Sequence, residues 1–172
     1  MKQFALLLLA LLAVTAAGCN GGNDKATTQP PPTTTSETTT PGTATLERAA
    51  RQALRENDQL SGYVLWNNRL PAWATRSTRG PALATLRRSA ADRKKRGIRV
   101  RTLVNRLEIT SVKLDPSYTK ATAVVRSIQR VRPYRGGKPI GQAVKLDERA
   151  TVELRRLGTS SRFVVWRVRV LG

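Results

Sequence analysis

Hydrophobic and polar positions divide the chain into three stretches. Phe4 to Val14 is an unbroken apolar run of eleven residues behind Lys2. Asn20 to Ala44 has almost no aliphatic side chains and holds nine threonines with Pro30, Pro31, Pro32 and Pro41. From Thr45 onward, apolar residues recur at regular spacing. Leu46, Ala49, Ala50, Ala53 and Leu54 fall on one helical face, and Thr45 is a suitable N-cap, so a helix is predicted from there to about Asn57-Asp58. Tyr63-Val64-Leu65-Trp66 is a short apolar stretch, and Leu70-Pro71-Ala72-Trp73-Ala74 opens a helical turn at Pro71. Pro81 starts a second helix with Leu83, Leu86 and Ala90 inward, and Gly97 closes it.

From Ile98 the period becomes two. Ile98 and Val100 lie in even phase, Leu103, Leu107 and Ile109 in odd, Val112 and Leu114 in even again, which predicts a long strand bent by bulges or two strands. Asp115-Pro116-Ser117 is a turn, Thr122–Val131 the next strand, and Pro133–Pro139 a loop. Val144, Leu146, Ala150, Val152 and Leu154 alternate with polar residues, interrupted only by Glu148, as in a half-buried strand. After Gly158–Ser161, a last strand runs from Phe163 to Val170 with Val164, Trp166, Val168 and Val170 on one side and Arg167 and Arg169 on the other. Helices followed by antiparallel strands predict an α+β domain over 45–172, with the helices packed on one face of a curved sheet of about four to five strands.

This order of elements is similar to the NTF2-like (SnoaL-like, cystatin-like) cone, the bent long strand and Val164-Val165-Trp166-Arg167-Val168 carrying the likeness. The first residues carry another. An apolar run of eleven is too short to span a hydrocarbon core, which takes ~20 residues, and suits the h-region of an export signal. Ala16, Ala17 and Gly18 then precede Cys19, the only cysteine, and the segment resembles a bacterial lipoprotein signal. The resemblance implies cleavage after Gly18, making 1–18 the signal peptide, and acylation of Cys19. It also implies a cell-membrane lipid anchor, with the domain on the extracytoplasmic side. Ala16 stands where that family favours Leu. An ordinary secretory signal with an incidental Cys19 is the other reading. Cys19 to Ala44 cannot bury enough surface to offset chain entropy and is expected to be a disordered tether. Its Thr/Pro content also permits O-glycosylation.

Composition narrows the chemistry. The chain carries 31 Lys+Arg against 11 Asp+Glu and no His, a formal charge of +20. With no His and one Cys, there is no Ser-His-Asp or Cys-His machinery, no Cys/His zinc site and no internal disulfide. No metal or cofactor is implied. Arg135-Gly136-Gly137-Lys138-Pro139 lacks the spacing of a phosphate loop and reads as a hairpin turn. Glu148, the one carboxylate at an apolar-phase position, is the candidate for a buried acid. A frayed strand start or an Arg partner would explain it equally.

The basic excess lies wholly in the domain. Arg87, Arg88, Arg93, Lys94, Lys95 and Arg96 on the second helix, with Arg167 and Arg169 on the last strand, are the candidate polyanion contacts. Three readings compete. One is a solvated face with a coding bias toward Arg. Another is adhesion to envelope polyanions, meaning anionic lipid headgroups, wall polymers or acidic glycans, or to another envelope protein. The third is extracellular nucleic acid, with Trp66, Trp73 and Tyr63 available for stacking. The expected function is a non-catalytic binding module at the envelope. The alternative is a small-molecule enzyme of ketosteroid-isomerase type, with an acid such as Glu148 in the cone.

Overall fold

The computed structural model describes residues 41–171. The expected signal peptide, Ala16, Ala17, Gly18, Cys19 and the tether up to residue 40 lie outside the described residues. The domain is α+β. Helices α1 (Thr43–Asn67) and α2 (Gly80–Lys95), joined through a 3-10 turn at Ala74–Arg76, pack against an antiparallel sheet. Its strands are β1 (Ile98–Leu114), β2 (Lys120–Arg135), β3 (Lys138–Pro139), β4 (Val144–Arg156) and β5 (Phe163–Leu171). The order across the sheet is β1-β2-β4-β5, with the short β3 paired to β2. This arrangement is consistent with the NTF2-like cone.

α1 departs most from expectation. It begins at Thr43, with Gly42 as N-cap, and the Gly42 carbonyl accepts from the N–H groups of Thr45 (2.9 Å) and Leu46 (3.2 Å), so Thr45 is not the cap. It then runs past Asn57-Asp58 to Asn67 and absorbs Tyr63–Trp66. Burial on two sides drives the extension. Leu60 and Val64 join Ala74 and Ala90 in a cluster with Tyr63, Leu70, Trp73, Leu83 and Leu86. Leu65 instead packs with Ile98, Val100 and Val131. Such packing outweighs the weak helix propensity of Asn57, Asp58 and Gly62.

α1 stops at Asn68, which adopts a left-handed conformation (φ 52°) and donates its N–H to the Val64 carbonyl at 3.0 Å. Its side chain ties two further elements to this end. Asn68 Nδ2 donates to the Ile98 carbonyl at 2.6 Å, and its Oδ1 accepts from Arg93 Nε at 3.1 Å. α2 starts with Pro81 in its first turn, as expected, and Gly97 follows it at φ 64°.

The long strand is single, and its phase switches are bulges. Register shifts fall between Thr102 and Val104 and between Ile109 and Ser111. Leu103 is the extra residue of the first bulge and is 42% exposed, so it does not face the core with Leu107 and Ile109. β2 extends through Pro133-Tyr134-Arg135, where a loop was expected. Gly136 and Gly137, at φ 55° and 79°, turn it into β3 as a two-residue hairpin. Between Glu153/Arg167 and Leu154/Val165 the register of β4 and β5 skips Trp166. Phe163 and Val165 therefore join the main core, whereas Val164 and Trp166 do not share the face of Val168 and Val170.

The main core lies between the first half of α1 and the sheet. Leu46, Ala50, Ala53 and Leu54 meet Ala121, Ala123 and Val125 of β2, Ala150, Val152 and Leu154 of β4, and Phe163 and Val165 of β5. The start of β5 has a covered edge. Val165 donates to the Ser77 carbonyl (2.8 Å), and Arg79 N–H donates to the Val165 carbonyl (2.9 Å). Thr78 Oγ1 donates to Asn57 Oδ1 at 2.8 Å, which holds this segment to α1. Gly80 follows at φ 56°, where a Cβ would lie 2.7 Å from the Trp166 ring.

Candidate functional site

Alternation along each strand and the cross-strand register separate a core face from an outer face. On the outer face, β1 contributes Arg99, Arg101, Arg106 and Lys113, and β2 contributes Lys120, Arg126, Arg130 and Arg132. β4 adds Lys145, Arg149 and Arg155, and β5 adds Arg167 and Arg169. That is thirteen basic residues against Glu108, Asp147 and Glu153. Neighbours are separated by about 4.8 Å across strands and about 6.8 Å along them. Several cations stand directly opposite one another: Arg101 and Arg132, Arg130 and Lys145, Arg126 and Arg149.

All three carboxylates are already engaged. Arg126 grips Asp147 with two bonds of 2.7 Å and lies 3.9 Å from Glu108, which also pairs with Arg106 at 3.0 Å. Those bonds hold the Asp147 carboxyl below its ordinary pKa and raise that of the Arg126 guanidinium. Glu153 pairs with Arg155 at 3.1 Å, and the Arg155 guanidinium stacks 4.0 Å from the Trp166 ring centroid. Among the described residues, the other cations of this face make no ion pair within 4.0 Å. The result is a basic surface with free guanidinium and ammonium groups, suited to extended anions.

The expected contacts divide. Arg167 and Arg169 are exposed and belong to the outer face. Arg87, Arg88, Lys94 and Lys95 are exposed on α2. Arg93 is not a surface residue. At 6% exposure it donates to the Val64 carbonyl (3.1 Å), Asn68 Oδ1 (3.1 Å) and Ser89 Oγ, and burial lowers its pKa. Its place in a run of charges concealed its role in joining the end of α1 to α2. Arg96 is half-buried and paired with Asp92.

The core face carries a polar strip beyond the main core. By register Glu148 lies opposite Ser127, and Asn105 opposite Gln129, all facing the helix side of the sheet. Glu148 is well inside β4, not at a frayed start, and makes no ion pair among the described residues. Burial raises its carboxyl pKa. Asp58 of α1 accepts a hydrogen bond from Asn105 Nδ2, and burial raises its pKa as well. Sequence reasoning missed Asp58 because it ended the helix there.

An open cleft of about 490 Å³ lies where α1 meets β1, lined by Gly62, Trp66, Arg101 and Thr102. Trp66 is 37% exposed. Its ring meets Tyr134 edge-on at 5.6 Å, and the Arg99 guanidinium lies 5.9 Å from its centroid. Trp73 and Tyr63 stack edge-to-face at 6.1 Å within the α1–α2 cluster and are not available to a ligand in the same way. Glu148 does not line the cleft. Among the described residues no group of His, Cys, Asp and Glu is arranged to hold a metal ion, and no helix is long and apolar enough to cross a membrane.

No protein-family model matches the chain, and no curated protein matches it in sequence. The domain is similar to the crystal structure of the intermembrane space region of the chloroplast protein ARC6. That likeness has a TM-score of 0.57 over 72% of this chain and 95% of that one, at 12% identity. At so low an identity, what the two share is the fold.

Proposed function

We propose that this chain is a lipid-anchored envelope protein whose α+β domain is a non-catalytic binding module for anionic envelope components. The outer sheet face carries the reading: its cations far outnumber its acids, and every acid there is already held by an arginine. Such a face gains little from more protein contacts of its own charge and much from a multivalent anion. The lipobox-like Ala16-Ala17-Gly18-Cys19 supports acylation at Cys19, on the extracytoplasmic side of the membrane. Two or more acyl chains, at roughly 0.8 kcal/mol per buried CH₂, make a stable anchor.

Two experiments test the two parts. Cys19→Ser is expected to move the protein from the membrane to the soluble fraction, and continued membrane attachment would overturn the anchor. For the module, the full-length chain is titrated with an anionic polymer, inorganic polyphosphate, over a salt series. Binding that weakens steeply with salt is expected, because each phosphate contact releases counterions. Binding indifferent to salt, or none at low salt, refutes the reading.

The alternative of ketosteroid-isomerase type draws on Glu148, whose carboxyl burial keeps closer to its neutral form. A proton-abstracting role requires that group beside a substrate cavity. The cleft at α1 and β1 is lined by other residues, and the basic outer face supports the binding module.

A further inference from the structure

We propose that the cleft between α1 and β1 is a subsite for one ring of an acidic polysaccharide, with the ring lying on Trp66 and its carboxylate on Arg101. This deepens the polyanion reading and rests on it. Four observations converge. Trp66 is more than a third exposed, yet its ring is held in place by Tyr134 at the edge and Arg99 nearby. An exposed but fixed indole is a platform, with little ordering entropy left to lose on binding.

Gly62 lies one helical turn before Trp66. Glycine inside a helix is a poor choice relative to alanine, and packing does not demand it, since a Cβ there would meet nothing within 4 Å. What Gly62 preserves is open space beside the indole. Thr102 supplies the third observation. Its hydroxyl oxygen is out of contact with solvent and has no hydrogen-bond partner, although the residue lines the cleft. A buried hydroxyl without a partner is costly. The bulge at Leu103 follows immediately, and bulges commonly turn a strand beside a binding site. Fourth, Arg101 makes no ion pair among the described residues and belongs to the same face as Arg130 and Arg132. A chain lying on that face is thereby led to the cleft.

The ligand follows from the combination. A bare phosphate or a lipid headgroup would use Arg101 and leave the indole and the open space beside it without a role. A nucleotide would stack, but its charge is on the backbone and not on the stacked ring. A uronate ring carries its acid directly on the ring. One C–H face can cover Trp66 while the carboxylate reaches the Arg101 fork. The cleft volume is within the ~300–1,000 Å³ range of small-ligand sites.

The test titrates the full-length protein, at one fixed ionic strength, with oligogalacturonate, inorganic polyphosphate and oligo(dT), following tryptophan fluorescence and affinity. Trp66→Ala and Gly62→Leu are the variants. Gly62→Leu fills the cleft while improving helix propensity, so a loss of fold would not account for its effect. Both variants are expected to weaken oligogalacturonate binding about tenfold and leave polyphosphate binding unchanged. Oligogalacturonate binding unchanged in both variants, with polyphosphate still bound, overturns the subsite and leaves the basic face standing. Tighter binding of oligo(dT), lost in the same variants, overturns it in favour of nucleic acid. Failure of every polyanion to bind removes the subsite together with the reading on which it rests.

Discussion

Arg93 distinguishes a buried fastener from a surface charge, and its replacement gives a large, measurable effect. Arg93→Met keeps most of the aliphatic stem and removes the donors to the Val64 carbonyl, Asn68 Oδ1 and Ser89 Oγ. Hydrogen bonds to a charged group are worth about 1.5–3 kcal/mol each, but two effects reduce the total. The Val64 carbonyl keeps the Asn68 N–H, so the partners that lose Arg93 outright are the Asn68 amide oxygen and the Ser89 hydroxyl. Burial also disfavours the guanidinium charge, as its lowered pKa shows, and methionine escapes that penalty. The net loss expected is about 2–4 kcal/mol, or a fall in Tm of about 8–15 °C for a domain of ~130 residues. Urea unfolding should show a lower midpoint with an unchanged slope. Arg87→Ala and Arg88→Ala, in the same run of charges but exposed, are expected to stay within about 0.5 kcal/mol of the parent. An Arg93→Met protein as stable as these two would refute the argument and return Arg93 to the surface.

Glu148→Gln should stabilise the domain at neutral pH. The folded pKa of Glu148 is raised, so the folded state holds that proton more tightly than the unfolded chain. Stability therefore declines as pH rises from the unfolded value (~4.3) through the raised folded one, and the gain from Gln should be larger at pH 7 than at pH 4. Gly80→Ala combines a left-handed backbone with a Cβ 2.7 Å from the Trp166 ring and is expected to cost about 2–4 kcal/mol, with a change in tryptophan emission. Lys145→Glu with Arg149→Glu should weaken polyphosphate binding and flatten its salt dependence, whereas Arg87→Glu with Arg88→Glu should do so much less if the outer sheet face is the binding surface. Added salt should raise the Tm of the unliganded protein by screening repulsion on that face, and a Tm that falls with salt would contradict the crowding of free cations there.

Much of the sheet was legible in the sequence because a two-residue period writes its interruptions into the chain. The switches at Leu103 and Val112 mark the two bulges of β1, and Gly136-Gly137 marks the β2–β3 turn. What escaped depends on neighbouring elements. Val164, Trp166, Val168 and Val170 alternate perfectly, yet the β4–β5 register skips Trp166 and divides them, a feature no single-strand pattern can display. Tyr63–Trp66 is apolar at consecutive positions because α1 is buried on two sides, Val64 toward α2 and Leu65 toward β1 and β2. A one-sided periodicity therefore ended the helix at Asp58 and hid both the Asp58–Asn105 contact and the cleft beside Gly62. Arg93 was misplaced for a similar reason: its acceptors come from the end of α1, which the shorter predicted helix did not reach.

The arrangement of the basic residues says more than their number. A coding bias toward arginine explains why a cation is Arg and not Lys, but it does not choose the cation's cross-strand neighbour. On the outer face Arg101 meets Arg132, Arg130 meets Lys145, and Arg126 meets Arg149. Like charges directly opposite one another destabilise a sheet, each such contact opposing folding by roughly 0.7 kcal/mol at ~6 Å even in bulk water. Acids at a few of those positions would relieve the repulsion and form cross-strand ion pairs, as Arg126 and Asp147 do one row apart. The domain instead tolerates the repulsion over three strands while its helices and core satisfy ordinary packing rules. An anion laid along the face would remove that repulsion on binding, and the domain would gain stability and affinity from the same contacts.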